Sequence, residues 1–446
     1  MPFLSVCATA ICLLTLHHAH ASVGVLDINN LLEPNLDSKL LTHHEEQRPY
    51  APWSHKPHCT TSTRLPTLGQ KYCVYTSNTT GPHGLSLIFP PSSAHLATEY
   101  LDDNPLDSFL TQAEAENLFL GDGPPWTIVD IPGKDKGVVA TRKIKQYETF
   151  MVDQAAVVVD MEAEKALSQK ENQNLLKVAV DRLLVPEMIR DMSGKHEGHK
   201  HKTAGEKEGF AGADDREEED EEEGKLEEDV MKTNAFGGTV AEVNSRVLYP
   251  LISRINHACA PNSFVLFSRA GVSMAIKAYR DIAPGEEITI SYLLLGIPFA
   301  KRQHLIHRWG FTCTCDLCSL PERQREASDL RRTMIAQAEE KMIELAEAGE
   351  FDDAVALAEE AVEMIREEGI YPTLTDSYAM LAMLYREKGD RAKSEEYGRK
   401  TQQLLGDLGF LGVGEERQAW SLEKMMGNIE ESGGIGSKWT KGPAKA

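Results

Sequence analysis

The chain has 446 residues, of which 41% are hydrophobic and 7% aromatic, enough for two or three domains and a large core. Its formal net charge of −22 disfavours direct nucleic-acid binding through phosphate contacts and favours basic partners such as lysine-rich protein segments. Much of that excess sits in residues 214–229, a solvated and self-repelling run, so the folded parts are less acidic than the total.

Residues 3–16 are apolar and too short to span a bilayer comfortably. Ala19-His20-Ala21 follows as a small-residue cleavage pattern before Ser22. Residues 1–21 therefore read as a secretory signal peptide, although no positive charge precedes the apolar run. A buried N-terminal strand or helix is the alternative. No other segment is a candidate membrane span. Residues 22–122, rich in Pro, Thr, Ser and His, are expected to be a loosely structured N-terminal region. Within it, Cys59 and Cys73 suit a disulfide in an oxidising lumen, and Asn78-Thr79-Thr80 is a glycosylation sequon. Residues 107–120 are predicted to form one helix, and the Gly-Asp-Gly-Pro-Pro run at 121–125 is a break.

From Trp126 the texture changes. Residues 126–131 and 137–140 are predicted strands around a glycine turn, and 149–161 is a further β-branched run. Residues 165–189 read as helical, with Leu175, Leu176, Ala179, Leu183 and Leu184 on one face. Residues 193–235 are expected to be a disordered acidic insertion, in which His196, His199 and His201 belong to a flexible polar tract. Strands are predicted again at 263–267, 272–278 and 288–293, with a Pro-Gly turn at 281–287. Residues 298–309 should form a helix that delivers a cysteine cluster. After Glu322 the chain is predicted almost wholly helical, with Ala338, Met342 and Leu345 sharing one face and Tyr378, Leu381, Ala382 and Tyr385 another. Ala348-Gly349-Glu350-Phe351 recurs loosely as Lys388-Gly389-Asp390-Arg391, a turn-helix texture that resembles tetratricopeptide-like (TPR-like) hairpins. Residues 431–446 are a polar tail.

Cys313, Cys315 and Cys318 form a C-x-C-x-x-C cluster. Three thiolates on a tight turn need one distant cysteine to complete a tetrahedral zinc site. Disulfide pairing is the alternative, though cysteines one residue apart on extended chain rarely reach disulfide geometry.

Residues 133–141, Asn256-His257-Ala258-Cys259-Ala260-Pro261-Asn262, residues 285–292 and residues 308–318, in that order and spacing, resemble a SET domain with its post-SET cysteine motif. The nearest type is the split-SET lysine methyltransferases that carry a MYND finger and helical C-terminal hairpins. The finger is missing here, since no metal-spaced cysteines lie between residues 141 and 258. The resemblance implies an α+β chain: a SET β-fold with pseudoknot and post-SET zinc knot over residues 123–320, then an α-helical TPR-like region over 321–430.

It also implies a reaction, the transfer of a methyl group from S-adenosylmethionine to a lysine side chain of a basic protein substrate. By the same resemblance Asn256 accepts from the cofactor amino group, His257 meets the adenine through its backbone, and Phe311 covers the adenine. The turn with Gly133, Lys134 and Gly137 wraps the methionine moiety. Tyr292 is the catalytic tyrosine of the lysine channel, and Cys259 joins Cys313, Cys315 and Cys318 on zinc. In-line displacement at a methyl group needs little acid–base help once geometry is set. The lysine must arrive neutral, which at pH 7 costs about 4–5 kcal/mol from a reference pKa near 10.4. Burial beside a sulfonium lowers that cost.

Three positions depart from the family pattern. Asp135 stands where a glycine is expected, and its carboxylate and side chain should hinder a cofactor carboxylate. Trp309 replaces a frequent second channel tyrosine, and Ala258 replaces a serine. These departures motivate an alternative reading, a catalytically inactive SET-fold interaction protein of the secretory pathway. A further reading makes the C-terminal helices the partner-binding part. The leader points to the secretory pathway, the family resemblance to nucleus or cytoplasm.

Overall fold

The computed structural model describes residues 50–120, 123–193, 213–418 and 421. The leader at 1–21, the tract holding His196, His199 and His201, and the tail from 431 lie outside the described residues.

The first strands arise in the stretch expected to be loosely structured. β1 (His58–Thr61), β2 (Lys71–Ser77) and β3 (Leu85–Phe89) make an antiparallel meander. Tyr72, Val74, Leu85, Leu87 and Phe89 in it are wholly buried. Polar residues disguised these strands. Thr76 and Ser86 are buried as well, but their hydroxyls pair at 2.8 Å and Ser86 Oγ donates to the Ala179 carbonyl at 2.7 Å, so burial leaves neither unsatisfied. Cys59 and Cys73 face each other in the β1–β2 register and are joined by a disulfide.

α1 (Pro91–Ala97) and α2 (Gln112–Leu120) follow. The single helix expected at 107–120 is split, because a 3₁₀ turn at Pro105–Ser108 ends before Thr111, whose N–H and hydroxyl both donate to Glu114 and start α2. β4 (Trp126–Ile131) and β5 (Asp135–Ala140) form the predicted hairpin. β6 (Thr149–Gln154) and β7 (Val157–Asp160) divide the β-branched run. α3 (Met161–Ala166), α4 (Gln169–Asp181) and α5 (Pro186–Arg190) stand where one helical stretch was predicted. Leu175, Leu176, Ala179 and Leu183 are buried, but Leu184 is exposed, because the chain leaves α4 at Arg182 and restarts at Pro186.

The disorder expected over 193–235 does not hold for its second half. α6 (Ala213–Asn234) is a helix whose last turns bury Leu226, Val230 and Met231. Val230 and Met231 share a core with Leu175 and Ala179 of α4. Glu227 is fully buried and takes a hydrogen bond from Arg190 Nε at 2.8 Å, while Gln169 and Gln173 of α4 donate to Glu228. Three apolar residues at helical spacing, set among carboxylates that find donors, are enough to dock this end.

β8 (Phe236–Val240), β9 (Val243–Leu248), β10 (Asn256–His257), β11 (Ser263–Ser268), β12 (Ser273–Ala278) and β13 (Glu287–Ile290) complete three sheets. Their orders are β1-β2-β3-β7-β9-β8, β10-β13-β5-β4 and β11-β12-β6. β3 pairs in parallel with β7, so the N-terminal meander continues the same sheet. In the second sheet β10 lies parallel to β13, with Asn256 opposite Thr289 and His257 opposite Ile290, and β13 lies antiparallel to β5, with Ile288 opposite Val138. Three motifs remote in sequence thereby become neighbours.

α7 (Phe299–Ile306) runs into a 3₁₀ turn, His307–Trp309, stopped by Gly310 at φ 83°. After the cysteine knot come α8 (Glu322–Glu347), α9 (Phe351–Glu368), α10 (Tyr371–Glu387), α11 (Arg391–Leu408) and the short α12 (Glu415–Gln418). The predicted turn repeat is real: Gly349 between α8 and α9 and Gly389 between α10 and α11 both adopt φ 79°, which favours glycine. The apolar faces of these helices share one core with Phe264 and Tyr279 of the sheet region.

Candidate active site and metal centre

Parallel pairing of β10 with β13 turns the Asn256 side chain toward the β4–β5 hairpin. Its Nδ2 donates to the Lys136 carbonyl at 3.1 Å and to Glu287 Oε1 at 3.0 Å. Both amide hydrogens are thus engaged, and among the described residues no hydrogen bond reaches its side-chain oxygen, which is left as an acceptor for an ammonium group. Glu287 Oε2 takes the Lys134 ammonium at 2.6 Å. Glu286 is the turn residue its sequence position suggests, accepting from Arg280 and the Ala283 N–H. Glu287 is more than that, since it orients Asn256. The signal for it was strand parity: Glu287 stands two residues before Thr289, the partner of Asn256.

Gly137 is compulsory. A Cβ there would stand 2.7 Å from Asn256 Nδ2 and 2.5 Å from Ile131 Cγ1. Gly133 lies in the open turn before β5 at φ 76°. Asp135 adopts φ 60°, the left-handed conformation for which the family pattern has glycine and which Asp tolerates better than most residues. Its charge does not stand alone. Burial lowers the pKa of the Arg254 guanidinium, against the opposing pull of Asp135 and Asp191. Arg254, unassigned by sequence, thus supplies a cation facing Asp135.

A second group of residues is aromatic. The buried His257 ring accepts the Tyr292 N–H on Nδ1 at 3.0 Å, so Nε2 carries the hydrogen and donates to Cys259 Sγ at 3.2 Å. Ring centroids of His257 and Tyr292 lie 5.3 Å apart, those of Tyr292 and Trp309 5.3 Å, and those of His257 and Phe311 6.5 Å. The Tyr292 hydroxyl donates to the Ile255 carbonyl at 2.8 Å. Burial, aided by Glu287, raises its pKa, so the phenol stays neutral and its lone pairs can accept. Trp309 Nε1 donates to the Thr233 carbonyl at 3.1 Å, and the Arg308 guanidinium lies 3.8 Å over its ring. Trp309 is therefore an apolar wall, tied to the end of α6. Phe311 is 37% exposed, open to cover a planar ring.

The cysteines form the third group. Cys259, Cys313, Cys315 and Cys318 place their sulfurs within 4.8 Å of one another. Cys259 Sγ lies 3.8 Å from Cys313 Sγ and 3.5 Å from Cys318 Sγ, and the Cys259 N–H points at Cys315 Sγ, 3.4 Å away. All four are free thiols, which removes the disulfide alternative. Four sulfurs about 2.3 Å from a tetrahedral zinc would have edges of about 3.8 Å, so the spacing fits that ion. The hydrogen bond with Cys259 draws the Cys315 thiol down to about 6, while Cys313, foremost among its neighbours, pushes Cys259 up. Cys259 likewise draws the Cys313 thiol down by hydrogen bonding, so the cluster favours thiolate at Cys313 and Cys315, and a divalent cation would favour it at all four. Gln303 of α7 clamps the knot: its Nε2 donates to the Cys313 carbonyl at 2.8 Å, and the Cys313 N–H donates to its Oε1 at 3.1 Å. Gln303 carries no sequence signal of that role.

Among the described residues no helix is long and apolar enough to cross a membrane.

The SET domain family model matches residues 135–293. The histone-lysine N-methyltransferase set5 of Schizosaccharomyces pombe is 37% identical over 100 residues, 22% of this chain and 31% of the relative. Histone-lysine N-methyltransferase SMYD3 of Homo sapiens is 38% identical over 80 residues, 18% of each chain. Histone-lysine N-methyltransferase ATXR2 of Arabidopsis thaliana is 40% identical over 73 residues, 16% of this chain and 15% of the relative. The matched part thus spans less than a third of each relative's length. Together with three motifs gathered on one sheet, these matches identify the segment: residues 135–293 of this chain are a SET domain.

Proposed function

We propose that the chain is an S-adenosylmethionine-dependent protein-lysine N-methyltransferase with a structural zinc ion. The observation that carries this reading is Asn256: its amide hydrogens are tied to Lys136 and Glu287, and its oxygen is left to accept. A neutral acceptor suits an ammonium without adding charge, and Gly137 keeps the space beside it clear. The cofactor would supply a methyl group activated on a sulfonium. Around it, Asn256 would accept from the amino group and the Phe311 ring would cover the adenine. The Gly133–Gly137 turn, with Lys134, would enclose the methionine part, and the backbone of His257 would meet the adenine edge.

Tyr292 does its work as an acceptor. With its own hydrogen given to Ile255, its oxygen can take an N–H of a neutral lysine and orient the amine. Trp309 and Tyr292 exclude water from that path, which favours loss of the lysine proton before transfer. Cys259, Cys313, Cys315 and Cys318 would hold zinc in a closed site that fixes Phe311 and the Cys259 segment. The acidic balance of the chain supports a basic protein substrate.

Calorimetric titration of the protein with S-adenosylmethionine, followed by methyl transfer to a histone or peptide pool, tests this. Binding with transfer that Tyr292→Phe abolishes is expected; no binding at high micromolar cofactor rejects the reading. The leader pattern and the Cys59–Cys73 disulfide support an address in the secretory pathway. Glycan mass at Asn78, compared with and without residues 1–21, checks that address.

A further inference from the structure

A groove of about 620 Å³ shares no lining residue with the candidate active site. Four consecutive residues of β11, Val265, Leu266, Phe267 and Ser268, line it. Successive strand residues point to opposite faces, so a groove that touches four in a row runs along the strand's edge. That edge is open among the described residues, in which β11 pairs with β12 alone. The Tyr279 N–H donates to the Asn262 carbonyl at 2.8 Å. In the observed register Phe264, Leu266 and Ser268 therefore turn their backbone groups to β12, and Val265 and Phe267 turn theirs outward.

Proteins usually blunt such an edge with lysine, proline or a bulge. This one instead exposes Val265 and Phe267, and Phe410, which also lines the groove, is exposed as well. Asp103 and Asp107 line it too, as its acidic rim. Both are exposed, and neither makes an ion pair among the described residues; Asp107 accepts only from the Asn104 amide, at 2.9 Å. None of the lining residues is a cation; behind them Lys277, near Gly409, is faced by Glu114, Arg417 and Asp407, and exposed Arg269 stands between the lining residues Ser268 and Ala270.

We propose that this groove docks an extended segment of a protein partner as an added strand on β11, its large apolar side chains against Val265, Phe267 and Phe410 and its lysine or arginine side chains against Asp103 and Asp107. Main-chain bonds to the free edge supply affinity, and the acidic rim selects basic segments. The volume lies inside the range of about 300–1,000 Å³ usual for binding sites. Neither cofactor nor turnover enters the inference, so it stands or falls apart from methyl transfer.

The test is fluorescence anisotropy on the full chain. The probe is a labelled hexapeptide of sequence Arg-Val-Lys-Phe-Arg-Val, with a control in which glutamate replaces each basic residue. Saturable binding of the basic peptide is expected, at least about tenfold tighter than the control, and the double variant Asp103→Lys, Asp107→Lys should reverse that preference. On the unaltered protein, N-methylation of alternate peptide residues should abolish binding in one register and leave it in the other. Equal affinity for both peptides, indifference to N-methylation register, or no saturation at about 1 mM overturns the proposal.

Discussion

Gln303 and Cys313 are joined by two reciprocal hydrogen bonds, side-chain amide to backbone carbonyl at 2.8 Å and backbone N–H to side-chain oxygen at 3.1 Å. Partners that orient metal ligands in this way cost about 10–100-fold in metal affinity when removed. Gln303→Ala should therefore release zinc to a chromogenic chelator at a concentration correspondingly lower than the parent requires. Gln303→Glu, which keeps the acceptor but loses the donor, should fall between them. Equal retention in all three proteins would mean that the clamp does not serve the metal.

Glu287 and Gly137 both act on Asn256, one by a hydrogen bond and one by leaving room. Glu287→Ala should free the amide and weaken cofactor binding by about tenfold, the worth of one charge-assisted hydrogen bond. Gly137→Ala should weaken it further, because the added Cβ would displace Asn256 itself. Isothermal titration measures both, and circular dichroism checks that the fold persists.

Arg190 and Glu227 dock the end of α6. The pair is buried, with side chains 7% and 0% exposed. Removing one partner of a buried ion pair leaves the other uncompensated and typically costs about 3–5 kcal/mol. Arg190→Met should lower the urea midpoint accordingly. It should also raise proteolysis between residues 193 and 235, because α6 would lose its anchor.

Asp153 accepts from the Leu251 and Ile252 N–H groups, at 2.7 and 3.1 Å, and so holds the turn that leads to Asn256. Burial pushes its carboxyl from 3.8 up to about 7, in spite of those donors. The folded chain thus keeps this proton where the unfolded chain has lost it. The stability involved is fully present below the unfolded value and is lost as pH rises through about 7, in all about 4 kcal/mol. Asp153→Asn keeps an oxygen for both donors and cannot ionise. The urea midpoint of the variant should gain on that of the parent as pH rises through about 7, and the variant should be the more stable of the two near pH 8.

The sequence alone determined the local chemistry. The cysteine spacing, the Asn256-His257 pair, the glycine turn and the helical C-terminal faces each declare themselves over a few residues, because ligand geometry, turn conformation and amphipathic period are short-range properties. Tertiary structure decided what no short window contains. β2 and β3 looked loose because Thr76 and Ser86 are polar, and only the fold brings each a partner. α6 looked disordered because its carboxylates dominate the composition, and only Arg190, Gln169 and Gln173 make its buried end affordable. The roles of Glu287, Arg254 and Gln303 depend on the pairing of β10 with β13 and the packing of α7 on the knot. Such contacts cost loop-closure entropy over long separations, and the whole core supplies the free energy that offsets it.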